Sequence, residues 1–177
     1  AEVADLSGFA ARKEASGKQG RLRGLGTCVY IESILGDPTE GAEVIFEEDG
    51  TVSLLVGTQS NGQGHETVFA QFLADRTGIP MDQIRVIQGD SDRIKQGGGT
   101  GGSRSATVQN SVALGTVKKM IAAFTPFVAD EFETDPGAVE FEDGAFRAKA
   151  TNRVMTLMEA AEAARAAGRA DLLRHHE

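Results

Sequence analysis

Twice along this chain a β-prone run ends in a glycine-rich segment that opens into an apolar-striped helix. Gly57 to Thr67 reads GTQSNGQGHET, and Gln96 to Ala106 reads QGGGTGGSRSA. Glycine admits backbone conformations and close approaches that a Cβ forbids. A helix start adds unpaired backbone N–H groups and a partial positive charge, so each segment has the layout of an anion-binding turn. By itself Gly62-Gln63-Gly64 matches neither the Rossmann nor the P-loop spacing. Pattern alone leaves a tight turn at Asn61-Gly62 and a ligand loop both open.

The elements around the loops follow from periodicity. Ala42 to Thr58 carries two strand-like runs on either side of Asp49-Gly50, whose residues tolerate positive φ, and this predicts a hairpin. Val68, Phe69, Phe72 and Leu73 form one face of a helix that Gly78 and Pro80 stop. QIRVIQG then returns as a strand, so strand, helix and strand predict a right-handed crossover onto one sheet. The second loop leads into a longer helix striped by Val112, Val117, Met120, Ile121 and Phe124, to be kinked or ended at Pro126. GAVEFEDGAFRAK predicts a second hairpin around Asp143-Gly144, and an alanine-rich amphipathic stretch runs from Met155 to Leu173.

Ahead of all this, residues 4–15 place Leu6, Phe9 and Ala10 at helical spacing before SGKQGRLRGLG breaks the pattern, and Thr27 to Ser33 (TCVYIES) is β-prone. The fold class is α+β, a mixed β-sheet layered with helices in the order ββ-α-β-α-ββ-α. Residues 1–24 form a helical lead-in and linker, and residues 25–177 a single α+β subdomain.

Charge and composition exclude other classes. A formal net charge of -8 argues against a nucleic-acid binder, because phosphate-backbone affinity comes from clustered Lys and Arg. Lys13, Lys18, Arg21 and Arg23 are interleaved with glycine and read as a solvated lead-in. No apolar run approaches the roughly 20 residues that span a bilayer. The first residues lack the apolar centre of a secretory signal, and a single cysteine forms no internal disulfide, so the expected setting is cytoplasmic. Cys28, in an apolar run, reads as a buried structural thiol rather than a nucleophile. His175 and His176 have no Cys or His partner at ligand spacing and are not assigned to a metal.

Within the loops, Arg104 carries the most information. A cation in the first turn of a helix is disfavoured by the helix dipole unless an anion lies between them. A bound ligand and a solvated arginine are both open, while Ser103 and Ser105 supply caps or ligand donors. His65 is a hydrogen-bond donor to an oxyanion or simply a polar first-turn residue. Glu66 is explained as a negative charge at a helix N-terminus rather than a catalytic base.

In combination these motifs resemble the molybdenum-binding large subunit of the xanthine oxidase, aldehyde oxidase and carbon monoxide dehydrogenase family. The resemblance is carried by GTQSNGQGHETVFAQFLADRTGIPMDQIRVIQGDSD followed by GGGTGGSRSA, and it covers roughly residues 21–150. It implies a molybdopterin cytosine dinucleotide cofactor with molybdenum, its pterin and pyrophosphate wrapped by glycine-rich segments. Carried over by position, Gln59, Gly62, Gln63, Gly64 and His65 match the first cofactor-binding segment. Thr100, Gly102, Ser103, Arg104 and Ser105 match the second. The implied reaction is oxidative hydroxylation of an aldehyde, an N-heterocycle or carbon monoxide. The implied partners are the remainder of the large subunit, an iron-sulfur small subunit and an FAD-binding medium subunit. The chain lacks the family's GVGE-like segment with its glutamate base, its phenylalanine-glycine-glycine loop, its copper-holding cysteine loop and any iron-sulfur cysteine pattern. No residue is therefore assigned a catalytic or metal-ligating role. The expectation is a piece of a roughly four-times longer subunit, inactive and cofactor-free when isolated; the alternative is a free-standing anion- or nucleotide-binding module.

Overall fold

Val52–Val56 (β2) is buried at every position, as a strand covered on both faces must be. It pairs antiparallel with Ala42–Phe46 (β1), Ala42 opposite Val56 and Phe46 opposite Val52. In the turn between them Gly50 takes a φ of 81°, and the Asp49 carboxylate accepts from Thr51 N at 3.0 Å. The helix His65–Thr77 (α2) ends on Gly78 at φ 71° and returns the chain to Ile84–Ile87 (β3), which lies parallel to β2. A parallel neighbour needs such a crossover. A computed structural model describes residues 8–31, 33–34, 39–149 and 151–177.

Asn110–Glu131 (α3) lays its stripe on this sheet, with Val117, Met120, Phe124 and Val128 all buried. Phe124 meets Phe46 edge-on at 5.7 Å, an arrangement aromatic quadrupoles favour. Val139–Glu142 (β4), Ala145–Ala148 (β5) and Val154–Thr156 (β6) make a second, antiparallel sheet in the order β4-β5-β6. Its hairpin uses the turn the sequence called for: Asp143 and Gly144 take φ 51° and 74°. Leu157–Ala166 (α4) starts with a full capping box between Thr156 and Glu159 and buries Leu157, Ala160, Ala161 and Ala164. Finally Arg174–His176 (β7) pairs antiparallel with β1 and completes the order β3-β2-β1-β7.

The α+β class stands, but with two sheets instead of one, and β6 and β7 were not foreseen. Three-residue strands carry too little alternation to read. The long helix does not end at Pro126; it runs on to Glu131 because Phe127, Val128 and Ala129 are core residues. By length and composition Ser105–Glu131 is apolar enough to cross a bilayer, against the expectation of no such run. In this fold its apolar stripe packs on the sheet.

The described part separates into two compact units, 1–32 and 33–177, the division lying beyond the expected linker at 24. In the first, Phe9–Lys18 (α1) extends into the stretch expected to break it, and Leu6 lies outside the described residues. The β-prone TCVYIES run is not a strand: residues 21–31 take no regular structure, Val29 and Ile31 are each 95% exposed, and Cys28 is exposed rather than buried. Glu32 of that run is outside the described residues. Strand propensity reflects the fit to a pleated, partly covered surface, and among the described residues no strand pairs with this segment.

Candidate functional site

The first loop leaves β2 at Gly57 and turns into α2 at Gly64, whose φ of 80° and lack of a side-chain cap leave the helix start open. His65, the first residue of α2, is buried with its ring 4.8 Å from that of Phe69. Its tautomer follows from its neighbours. Gln63 Oε1 accepts from Asn61 N, which has only a proton to offer, so Gln63 Nε2 faces His65 Nε2 at 3.0 Å. The amide donates and the ring nitrogen accepts, which puts the imidazole proton on Nδ1. That Nδ1 is buried without a partner.

The second loop reaches α3 through a wide π-helical turn, Ser105–Gln109, again with no side-chain cap. Ser103 just before it takes a φ of 55°. The loops are tied together: Gln59 N donates to Thr100 Oγ1 at 2.9 Å, Thr100 Oγ1 donates to Gln59 O, and Gly99 N donates to Gly57 O at 3.3 Å. Between them lies a cavity of about 340 Å³ lined by Gln63, His65 and Phe69 from one side and Thr100, Ser103 and Ser105 from the other.

Of the expected cofactor residues, Gln63, His65, Thr100, Ser103 and Ser105 thus share one cavity, and Gly64 caps the helix beside it. Gln59 joins the loops through its backbone. Gly62 and Gly102 take φ of 107° and 60° and shape the turns. Arg104 is different. Its side chain is 7% exposed and bridges to Glu40 at 3.2 Å, with Nη2 donating to Thr39 O at 2.8 Å and Nη1 to Gly99 O at 3.3 Å. The anion that a cation at a helix start requires is supplied by the chain itself.

Sequence reasoning missed Glu40 and Gln109. The Glu40 carboxylate accepts from Gly98 N at 3.1 Å and Gly41 N at 3.2 Å. Gln109, fully buried, accepts from Gly57 N at 3.1 Å and donates to Gly41 O at 2.9 Å. Gln109 was legible as a polar residue in helical register with Ala113 and Val117; nothing local marked Glu40.

A larger cavity, about 570 Å³, opens beside β1 and β7 and includes Leu55, Ile94 and Arg174. It holds none of the expected site residues, and Arg174 is already paired with Glu43. His175, on the same strand, is a core residue: burial pushes its imidazole below the ordinary histidine range, and Nε2 lies 2.8 Å from Leu172 O.

The sequence matches the molybdopterin cofactor-binding domain over residues 1–176. It is 31% identical over 151 residues to the carbon monoxide dehydrogenase large chain of Afipia carboxidovorans, covering 77% of this chain and 19% of that one. It is 33% identical over 160 residues to the nicotine 6-hydroxylase large subunit of Paenarthrobacter nicotinovorans, covering 81% and 19%. The solved structure of reconstituted CO dehydrogenase from Oligotropha carboxidovorans superposes with a TM-score of 0.72 at 32% identity, over 78% of this chain and 18% of that one. The chain spans about a fifth of the length of these relatives.

Proposed function

This chain belongs to the molybdopterin cofactor-binding domain family, and from that premise we propose that it cradles the dinucleotide end of the cofactor within a molybdenum hydroxylase large subunit. The observation that carries the reading is the shared cavity, onto which two helix starts without side-chain caps and a buried, unpartnered His65 Nδ1 converge.

The residues fit such a group. A Cβ built on Gly62, Gly64, Gly99 or Gly101 meets nothing within 4 Å, so bare backbone is open to a ligand at four places around the loops. A pyrophosphate calls for several N–H and hydroxyl donors. The first amides of α2, the Ser103 and Ser105 hydroxyls, the Gln63 amide and His65 Nδ1–H are such a set. When bound, the cofactor supplies the molybdenum redox centre for oxidative hydroxylation, with electrons leaving to iron-sulfur and flavin subunits. The chain's own task is to bind and orient. His65 holds a proton on Nδ1 toward an anionic acceptor, Phe69 backs the ring and keeps water from it, and the Gln59–Thr100 pair keeps the loops in register.

The cytosine form of the dinucleotide, the iron-sulfur and FAD-binding partner subunits, and a cytoplasmic setting belong to the same proposal. An aldehyde, an N-heterocycle and carbon monoxide are the candidate substrates, and relatives named for carbon monoxide and for nicotine support that range. The test is elemental and nucleotide analysis of the complete subunit co-expressed with its neighbours. Near-stoichiometric molybdenum and acid-released cytidine nucleotide are expected, both falling in Ser103→Ala/Ser105→Ala. Tight nucleotide binding by residues 1–177 alone, with no molybdenum in the larger assembly, would establish the free-standing binding module instead.

A further inference from the structure

We propose that Glu40, Arg104 and Gln109 form a buried clamp that sets the spacing of the two cofactor loops, so that Arg104 serves the ligand through Glu40 and not by touching it. The inference rests on the cradle reading above and assigns the residues behind the cradle.

Burial is the first argument. The Glu40 side chain is fully buried and that of Arg104 is 7% exposed. Taking both charges out of water offsets most of their attraction, so such a pair is a poor stabiliser compared with apolar residues of the same shape. What it supplies is one geometry. The carboxylate takes the amides of Gly98 and Gly41, and the guanidinium fork takes the carbonyls of Gly99 and Thr39. Gln109 takes the Gly57 amide and the Gly41 carbonyl. Three side chains thereby join the start of β1, the root of the first loop and the body of the second.

The glycines divide accordingly. Those at the cradle are open, whereas a Cβ on Gly57 would stand 2.8 Å from Gln96 O, and one on Gly98 would stand 2.7 Å from Arg104 Cζ. Glycine at the clamp makes room for the backbone and for the Glu40 and Arg104 side chains packed against it; glycine at the cradle leaves room for something else.

Direction is the third argument. Arg104 and Gln109 flank the π-helical turn, one just before it and one at its last residue. Arg104 points inward and is not among the cavity's lining residues, while Ser103 and Ser105 on either side of it line the cavity. Anchoring Arg104 therefore aims both hydroxyls. Ser103 accepts a left-handed φ of 55° to do so, a conformation of modest cost that a fixed neighbour can enforce.

The experiment is a double-mutant cycle in the complete subunit with Glu40→Gln, Arg104→Met and both together. It reads cofactor retention on dialysis, the salt dependence of retention, thermal midpoints, and amide exchange at Gly57, Gly98 and Gly99. A clamp predicts that each single variant loses retention by on the order of tenfold, the usual cost of removing a group that orients a ligand's partner. The double variant loses no more than either single, exchange at Gly98 and Gly99 quickens, and the salt dependence stays that of the wild type. A direct ligand contact would give additive losses, with a flatter salt dependence in Arg104→Met. A purely structural pair would lower the thermal midpoint as Val117→Ala does and leave retention in the folded protein unchanged. Either outcome overturns the clamp. If the wild-type subunit holds no molybdopterin, the cradle reading fails, and glycine amide exchange in the Arg104→Met variant still decides whether the clamp exists.

Discussion

Gly97 stands so close against Gly57 that a Cβ on Gly97 would lie 2.5 Å from the Gly57 carbonyl oxygen. The roots of the two glycine loops are in backbone contact, and neither neighbour is a flexible side chain that could move aside. Gly97→Ala should therefore force the loops apart and destabilise the fold by about 1–3 kcal/mol, the cost of overpacking. Gly101→Ala, with nothing within 4 Å of the new methyl, should stay within about 0.5 kcal/mol of wild type. Urea denaturation of the two variants checks this. Equal losses would mean that the glycines are interchangeable spacers.

His65 is kept at a cost to stability. A buried donor without a partner costs about 1–3 kcal/mol, so a residue of the same shape and no nitrogen should be tolerated or better. His65→Phe retains the packing on Phe69 while discarding both Nδ1 and the contact to Gln63. The expected result is unchanged or higher thermal stability together with loss of bound cofactor in the complete subunit. A variant that keeps its cofactor in full would remove His65 from the cradle.

How far the sequence reached can be judged from these same residues. His65, Ser103 and Ser105 were legible because a glycine turn before a helix start is local information. The hairpins at Asp49-Gly50 and Asp143-Gly144 were legible for the same reason. Arg104 was noticed for a sound reason, with a bound ligand and solvent both left open; the anion it pairs with in this fold is Glu40, which is remote in sequence and unmarked by any pattern. The strand β7 has the polar sequence Arg174-His175-His176 and exists only because β1 offers it an edge. Conversely TCVYIES had the composition of a strand, yet among the described residues no strand pairs with it. Local chemistry reads from sequence; partners across the fold do not.

His175 should give the fold a pH dependence near neutrality. Burial is the main cause that holds its imidazole below the ordinary histidine value of 6.5, with nearby His176 acting in the same direction and the Leu172 carbonyl and Asp171 opposing. The unfolded chain then takes up a proton at a higher pH than the folded one. Stability is complete above about pH 6.5 and falls as the pH drops through the unfolded value toward the folded one, with a slope of at most about 1.4 kcal/mol per pH unit. His175→Leu should flatten that decline between pH 7 and pH 5. Glu159 and Asp171, whose carboxyls are held low by hydrogen bonds from Thr156 and Arg169, lose their contribution only at more acidic pH, so the windows separate. Chemical denaturation of both proteins at four pH values measures the difference; an unchanged slope would remove His175 as its source.

Pro126 lies on the exposed face of α3 with Phe124 and Phe127 buried on either side of it. Within a helix a proline lacks the N–H that would reach the carbonyl four residues back, and its ring crowds that carbonyl, here Ala122 O, at a cost of about 3 kcal/mol relative to alanine. The core positions flanking it hold the helix together regardless. Thr125 Oγ1 donates to Ile121 O at 2.7 Å, adding a bond beside the interruption. Pro126→Ala should restore the missing backbone bond without touching the core. The gain is reduced by about 0.4–1 kcal/mol because the proline also restricts the unfolded chain. The expected balance is a stabilisation of about 2 kcal/mol, seen as a rise in thermal midpoint of about 2–4 °C per kcal/mol for a chain of this size. A lower midpoint would mean that the helix from Phe127 to Glu131 depends on the direction the proline gives it, and that the packing of Phe127 and Val128 was fitted to that direction.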